Sequence, residues 1–149
     1  MENLKKNLSI TLSSTNPYSF SSHNSKIYFV VTNIMNDESF TYLKMYLVNK
    51  STSRYTFGDI IITQVENPLG GKKSGSILHS KFIEPVEVKL PVDSEVNARA
   101  KQAIVIAIPL YTGTDNGKLI IQMFEKNGSR NGKIELKGKD ITKATLIRN

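Results

Sequence analysis

Apolar and polar residues alternate along most of this chain, which is the pattern of β-strands that bury one face. The alternating segments are rich in Ile, Val, Tyr and Phe, and these residue types fit a pleated sheet better than a helix. The pattern predicts strands over 8–12, 26–33, 40–48, 55–57, 59–65, 77–83, 86–92, 132–138 and 141–147.

The densest apolar segment is 101–125, where two Ile-rich runs flank the sequence TGTDNG. The Gly, Asp and Asn of that linker suit a tight turn, because they tolerate positive φ or bond to their own backbone. The segment is therefore predicted to be a β-hairpin near the centre of a sheet, with both faces of each strand buried. Pro109 lies inside the first run and has no amide hydrogen, so a bulge or a bend is expected there.

Three segments interrupt the strand pattern. Residues 13–25 are rich in Ser and Asn and predict a polar loop. Residues 66–76 contain a proline and three glycines and predict a long flexible loop. Residues 93–100 form the only plausible helix, a turn or two long, with Asp93 as its cap.

About nine or ten short strands with turn signals at regular spacing predict an all-β fold. The 149 residues are enough for one domain with a substantial core. We expect a single-domain two-sheet antiparallel sandwich over residues 1–149, either jelly-roll or immunoglobulin-like. A closed β-barrel is the alternative.

Composition narrows the functional classes. The chain has no cysteine, which excludes disulfides, thiol nucleophiles and thiolate metal sites. No apolar run is long enough for a membrane-spanning helix. The N-terminal residues lack the apolar segment of a secretory signal, so we expect a cytoplasmic location or one within an assembled particle.

The net charge of +7 is concentrated near the C-terminus, since residues 116–149 hold eight lysine or arginine residues and three carboxylates. A basic segment of this kind can bind phosphate or an anionic surface. A solvated sheet face has the same composition, so the charge alone does not assign a function.

No catalytic or metal-binding constellation is evident in the sequence. His23 and His79 have no spacing to a second ligand that suits a metal site, and no nucleophile–base pair can be named. The 66–76 loop fails the phosphate-loop pattern, because its Gly-Lys pair is followed by Lys73 rather than by Ser or Thr. We therefore expect neither enzyme activity nor a metal or cofactor.

The strongest candidate for a binding surface is the strand over 40–48. Alternation places four residues opposite its aliphatic face: Phe40, Tyr42, Lys44 and Tyr46. Aromatic rings interleaved with a lysine can stack bases or sugars, or anchor a protein interface. Cross-strand packing beneath a loop accounts for the same pattern. The pair Lys72 and Lys73 in the basic loop is a second candidate.

These patterns favour a non-catalytic structural or interaction subunit, which assembles with itself or docks on a protein partner as in a capsid, particle or fibre. A first alternative is nucleic-acid binding through the basic C-terminal third and the aromatic face of 40–48. That alternative requires 132–138 and 141–147 to lie beside 40–48 in one groove. A second alternative is a carbohydrate- or membrane-binding module, which the absence of tryptophan disfavours.

Overall fold

The computed structural model of the protein describes residues 2–13, 20–66 and 79–147. The fold is an all-β sandwich of two sheets, as the strand pattern predicts, and eleven strands lie in these ranges. Their pairings are antiparallel except for one short parallel contact near the C-terminus.

The first sheet has six strands: β1 (Phe20–Asn24), β2 (Ile27–Asn36), β3 (Phe40–Asn49), β6 (Glu87–Lys89), β8 (Lys101–Pro109) and β11 (Thr145–Leu146). Their spatial order is β1-β2-β3-β8-β6, and β11 pairs with the end of β2. β3 is therefore the central strand, hydrogen-bonded along most of its length on both sides.

The second sheet has five strands: β4 (Tyr55–Glu66), β5 (His79–Ile83), β7 (Glu95–Val96), β9 (Lys118–Glu125) and β10 (Gly132–Lys137). Their order is β10-β9-β4-β5, and β7 pairs with the start of β4. β1 of the first sheet lies against β10 of the second, which closes one side of the sandwich.

The main hydrophobic core lies between the two sheets. Leu43 and Ile106 from the first sheet and Leu119 and Ile121 from the second are all fully buried there. These side chains occupy alternate positions of their strands, so the period-two pattern of the sequence becomes the inner face of each sheet.

The N-terminal segment is a helix, α1 (Glu2–Ser13), and the strand predicted over 8–12 is wrong. The buried side chains recur at helical spacing: Leu4, Asn7, Leu8 and Thr11. Two of these four are polar, so the helical period is hidden in a hydrophobicity pattern. α1 packs on the outer face of the first sheet and forms a second, smaller core there with Tyr42, Val105 and Ala107.

Residues 101–125 do not form the predicted hairpin. β8 pairs with β3 and β6, whereas β9 pairs with β4 and β10 in the other sheet. Residues 110–117 therefore cross between the sheets. Of these two strands, β8 has both faces buried, because α1 covers its outer side. β9 alternates between buried and half-buried residues. Pro109 ends β8 instead of interrupting it.

The helix predicted over 93–100 is also wrong. A 3-10 turn (Val92–Ser94) is followed directly by β7. Val96 of β7 is fully buried and pairs with Tyr55, so core packing determines the local conformation. The sequence could not indicate this contact, because its two residues are far apart along the chain.

The strand predicted over 141–147 is reduced to β11, because a short helix, α2 (Gly138–Thr142), occupies its beginning. The polar loop predicted over 13–25 contains β1, and the strand predicted over 86–92 is limited to β6.

The remaining strand predictions are confirmed with small changes. β2, β3 and β10 match their predicted segments, and β5 covers the described part of 77–83. The two segments 55–57 and 59–65 form the single strand β4, with an irregularity between Phe57 and Ile60. Residues 67–76 of the predicted loop over 66–76 lie outside the described residues.

Candidate interaction surfaces

The outer face of the first sheet carries the four aromatic and basic residues that the sequence singles out, and α1 covers part of it. Tyr42 is fully buried in the α1 cluster. Phe40 is half-buried in the same cluster, with its ring 6.3 Å from that of Tyr42 in an edge-to-face arrangement. Lys44 is 3% exposed, and its Nζ lies 5.1 Å from the ring centroid of Tyr46, which is half-buried outside the cluster. The structure therefore separates Tyr46 from Phe40 and Tyr42, which serve as packing residues for α1.

Asp37 fixes α1 to the turn between β2 and β3. Its carboxylate is buried and accepts hydrogen bonds from the Tyr42 hydroxyl at 2.5 Å and the Asn7 amide at 2.8 Å. The backbone amides of Ser39 and Phe40 each donate to its other oxygen at 2.7 Å. Burial alone would raise the pKa of Asp37, but these hydrogen bonds outweigh burial and hold the pKa below its usual value. Burial, together with the bond to Asp37, raises the pKa of Tyr42.

A second part of this face lies beyond α1, and we call it the basic–tyrosine face: Tyr28, Tyr46, Lys50, Arg99 and Lys101. The two tyrosines are half-buried and the three cations are exposed. The Nζ atom of Lys50 lies 5.0 Å from the Tyr28 ring centroid, and that of Lys101 lies 4.7 Å from the Tyr46 ring centroid. Cation–π attraction favours these positions of the lysines over the rings.

The three cations of the basic–tyrosine face meet at the ends of β3 and β8. Lys50, Arg99 and Lys101 line a shallow pocket of about 440 Å³, together with Val48 and Asn49. Arg99 has a φ of 62°, a left-handed conformation that an L-residue adopts at a cost of about 1 kcal/mol. The pocket therefore presents positive charge next to two aromatic rings.

The other basic candidates are placed differently. Lys72 and Lys73 lie outside the described residues. In the basic C-terminal third, Lys118 forms an ion pair with Glu135 at 3.1 Å. β10 belongs to the second sheet and β3 to the first, so these strands do not form the continuous groove that the nucleic-acid alternative requires.

The outer face of the second sheet keeps apolar side chains accessible. Alternating burial along β4 and β9 places Ile61, Val65 and Ile120 on this face, where they are half-buried and do not belong to the core cluster. Phe82 of β5 pairs with Thr63 on the same side of the sheet and is 80% exposed. We call Ile61, Val65, Phe82 and Ile120 the open face.

A groove borders the open face at the edge of the sheet. Its volume is about 340 Å³, and Phe82 lines it together with Ile60, Ile61, Pro85 and one charged residue, Glu84. On the opposite flank, Lys133 and Lys137 of β10 are exposed on the same side of the sheet. The open face is thus an apolar surface with positive charge along one border.

The sequence pattern alone did not indicate Tyr28, Lys50, Arg99, Lys101 or Phe82 as site residues. One signal was present, because the segments that form β2, β3 and β8 contain no Asp or Glu. This absence of acidic residues indicates a common surface only once the topology shows that the three strands are neighbours.

Two further observations concern the described ranges. Within them, no three His, Asp or Glu side chains are grouped closely enough to share a metal ion. Neither helix there is long and apolar enough to cross a membrane.

Comparison with known proteins places the chain in a family. No curated protein matches it. A family model described as "Domain of unknown function (DUF4138)" matches residues 4–146, which include every strand of both sheets. The chain therefore belongs to the DUF4138 family.

Proposed function

We propose that this domain is a non-catalytic interaction subunit that docks on a partner protein through its open face. Phe82 is the observation that carries the proposal. A phenylalanine with 80% of its surface exposed lies diagonally across from the half-buried Ile61 and Val65, with Ile120 one strand further on. It also borders a groove that is lined mostly by apolar residues. Accessible apolar side chains grouped in this way, here around Thr63, mark interaction sites in folded proteins, because their exposure to water is unfavourable.

The position of Lys81 favours docking on the face of the sheet over pairing at its edge. β5 is the edge strand, and Lys81 lies opposite the buried Gln64, so it occupies the inner side of the strand. Lys81 is exposed. An inward-directed charge on an edge strand disfavours the addition of another strand, since pairing would bury the charge. The accessible apolar area of β5 is therefore on its outer side, at Phe82.

The charges around the open face indicate the chemistry of the partner. Along its β10 border the face has Lys118, Lys133 and Lys137 but only one carboxylate, Glu135. A second copy of the chain would place more lysines than carboxylates opposite these lysines, and the net charge of +7 opposes self-association further. We infer a partner with an apolar centre and carboxylates on one flank.

Replacing Phe82 with serine tests the proposal. An aromatic anchor that is buried on binding typically contributes about 2 kcal/mol or more, so we expect affinity for the partner to fall by about 30-fold or more. Stability should change by less than about 0.5 kcal/mol, because Phe82 is exposed. Val92→Ser is the matched control, since Val92 is an apolar residue with 86% exposure outside the open face.

The partner can be found by placing a photo-crosslinking amino acid at position 82 or 120, and at position 92 as control, in cells that naturally produce the protein. We expect one protein to crosslink at 82 and 120 but not at 92. The purified crosslinked protein should then bind the wild type and Val92→Ser, but not Phe82→Ser. Crosslinks of equal yield at all three positions, or a partner that Phe82→Ser still binds normally, would contradict the proposal. A homodimer seen by light scattering would identify the partner as a second copy and contradict the charge argument.

A further inference from the structure

The first sheet lacks negative charge over a wide area. Its four adjacent strands β1, β2, β3 and β8 contain no Asp or Glu. The turn from residue 50 to residue 54 and the turn from residue 97 to residue 100, which meet at the same end of the sheet, contain none either. The chain as a whole has 13 acidic residues, so this area is distinct from the rest of the surface.

Strand register places two tyrosines of this area side by side. Tyr28 on β2 lies opposite Val48 on β3, and Tyr46 lies two residues before Val48 on the same face. Tyr28 and Tyr46 are therefore diagonal neighbours, with about 7–8 Å between their backbones. Half-buried rings at this spacing are suited to stack successive bases of a single strand once the Lys50 and Lys101 ammonium groups that lie over them move onto the phosphates.

Cations surround these rings. Lys50, Arg99 and Lys101 form no ion pair with a carboxylate of the described chain, whereas Arg54, Lys118 and Arg130 each do. They converge on the pocket at the ends of β3 and β8. A phosphate there would meet three positive groups and no carboxylate from the adjoining strands, so binding would release counterions without desolvating an existing ion pair.

We propose that the basic–tyrosine face binds single-stranded nucleic acid. Lys50, Arg99 and Lys101 contact the phosphates, and Tyr28 and Tyr46 stack on the bases. An acidic protein segment would use the cations but not the rings. A duplex would also use the cations, but its bases are paired and stacked inside the helix and could not reach the rings. The proposal is independent of the proposed function, because the open face belongs to the other sheet.

Fluorescence anisotropy with a labelled 20-nucleotide oligothymidylate tests the cations. The triple variant Lys50→Gln, Arg99→Gln, Lys101→Gln should weaken binding and reduce the slope of log affinity against log salt by about 2, since each phosphate contact contributes about 0.7. The matched control is Lys126→Gln, Lys139→Gln, Lys143→Gln, which removes the same charge from exposed positions outside the strands of the first sheet. This control should retain most of the affinity.

A second pair of variants tests the rings separately from charge. Tyr46→Leu removes the aromatic ring but keeps an apolar side chain, and it should weaken binding by about 5- to 150-fold. Tyr46→Phe keeps the ring and should bind like the wild type. Arg99→Gly relieves the left-handed conformation, so a loss of affinity in this variant cannot be attributed to backbone strain.

Three results would overturn the proposal. The first is an absence of binding at 50 mM salt. The second is a control triple variant that loses as much affinity as the triple variant of the basic–tyrosine face, which would place the site in the basic C-terminal third. The third is competition by poly-L-glutamate as effective as that by unlabelled oligothymidylate, together with normal binding by Tyr46→Leu; this would identify a general site for acidic protein segments.

Discussion

Asp37→Ala is expected to lower the free energy of unfolding by about 4 kcal/mol, because it leaves two buried side-chain donors and two less deeply buried backbone donors without their acceptor. These donors are the Tyr42 hydroxyl, the Asn7 amide and the backbone amides of Ser39 and Phe40. Hydrogen bonds to a charged acceptor contribute about 1.5–3 kcal/mol each, so the loss of the set exceeds the effect of an ordinary surface substitution. Urea denaturation followed by circular dichroism measures the change.

The neighbouring residue provides a matched control. Glu38 is exposed, so Glu38→Ala removes a carboxylate from the same turn and should change stability by less than about 0.5 kcal/mol. Asp37→Ala should also detach α1, because Asn7 of α1 loses its acceptor. In Asp37→Ala, amide exchange should then accelerate more in α1 than in β9, with each rate compared with that of the wild type. Similar stability losses in the two variants would mean that Asp37 does not hold the helix.

The same carboxylate makes stability depend on pH in the acidic range. The pKa of Asp37 is lower in the folded protein than in the unfolded chain, so the folded state binds the proton less readily. Its contribution is complete above the unfolded pKa of about 3.9 and is lost as pH falls through the lowered folded pKa. We therefore expect the stability difference between wild type and Asp37→Asn to shrink as pH is lowered from 5 towards 2. A difference that stays constant would contradict this role.

Arg130→Met is expected to lower the free energy of unfolding by about 3 kcal/mol, since it leaves a buried carboxylate without its cation. The side chains of Arg130 and Glu125 are only 14% and 10% exposed, and the guanidinium Nε lies 3.0 Å from one carboxylate oxygen. Its remaining nitrogens donate to the Ser51 hydroxyl at 2.8 Å and to the Arg54 carbonyl at 2.7 Å. Arg130 thus ties the β9–β10 turn to the β3–β4 turn. Thermal or urea unfolding measures the loss.

An exposed ion pair supplies the control for Arg130. Arg54 and Glu95 lie 3.4 Å apart with 60% and 30% of their side chains exposed, so Arg54→Met should cost less than about 1 kcal/mol. Arg130→Met should also cost less in a Glu125→Gln background, because no buried charge is then left unpaired. Equal costs in the two backgrounds would show that packing of the Arg130 stem, and not its charge, is responsible.

The strands could be predicted wherever one face is buried and the other is not. Along β10, Ile134 and Leu136 are buried while Lys133 and Glu135 are exposed, so the sequence alternates as the structure does. The N-terminal helix could not be predicted in this way. Its buried face includes Asn7 and Thr11, which are acceptable there because Asn7 bonds to Asp37 and Thr11 bonds to the Asn7 carbonyl. Such compensation depends on a contact 30 residues away and leaves no local pattern.

The candidate surfaces were predicted only in part. Tyr46 was identified with Phe40 and Tyr42 because alternation puts all three on one face. The sequence cannot tell that α1 covers one end of that face and leaves the other end open. The sequence does not distinguish Phe82, because a lone phenylalanine in a strand normally belongs to the core. Its exposure follows from the position of β5 at the edge of the sheet.

The sequence by itself determined the all-β class, the location of the long strands and the excess of positive charge, because these follow from the periods and types of neighbouring residues. Only the tertiary structure decided that β8 and β9 belong to different sheets, that α1 covers Tyr42, and that Tyr28 and Lys50 join Tyr46 and Lys101 on one face. The physical reason is that strand pairing is determined by which apolar faces can be buried together. That choice depends on residues far apart in the chain, and no local pattern records it.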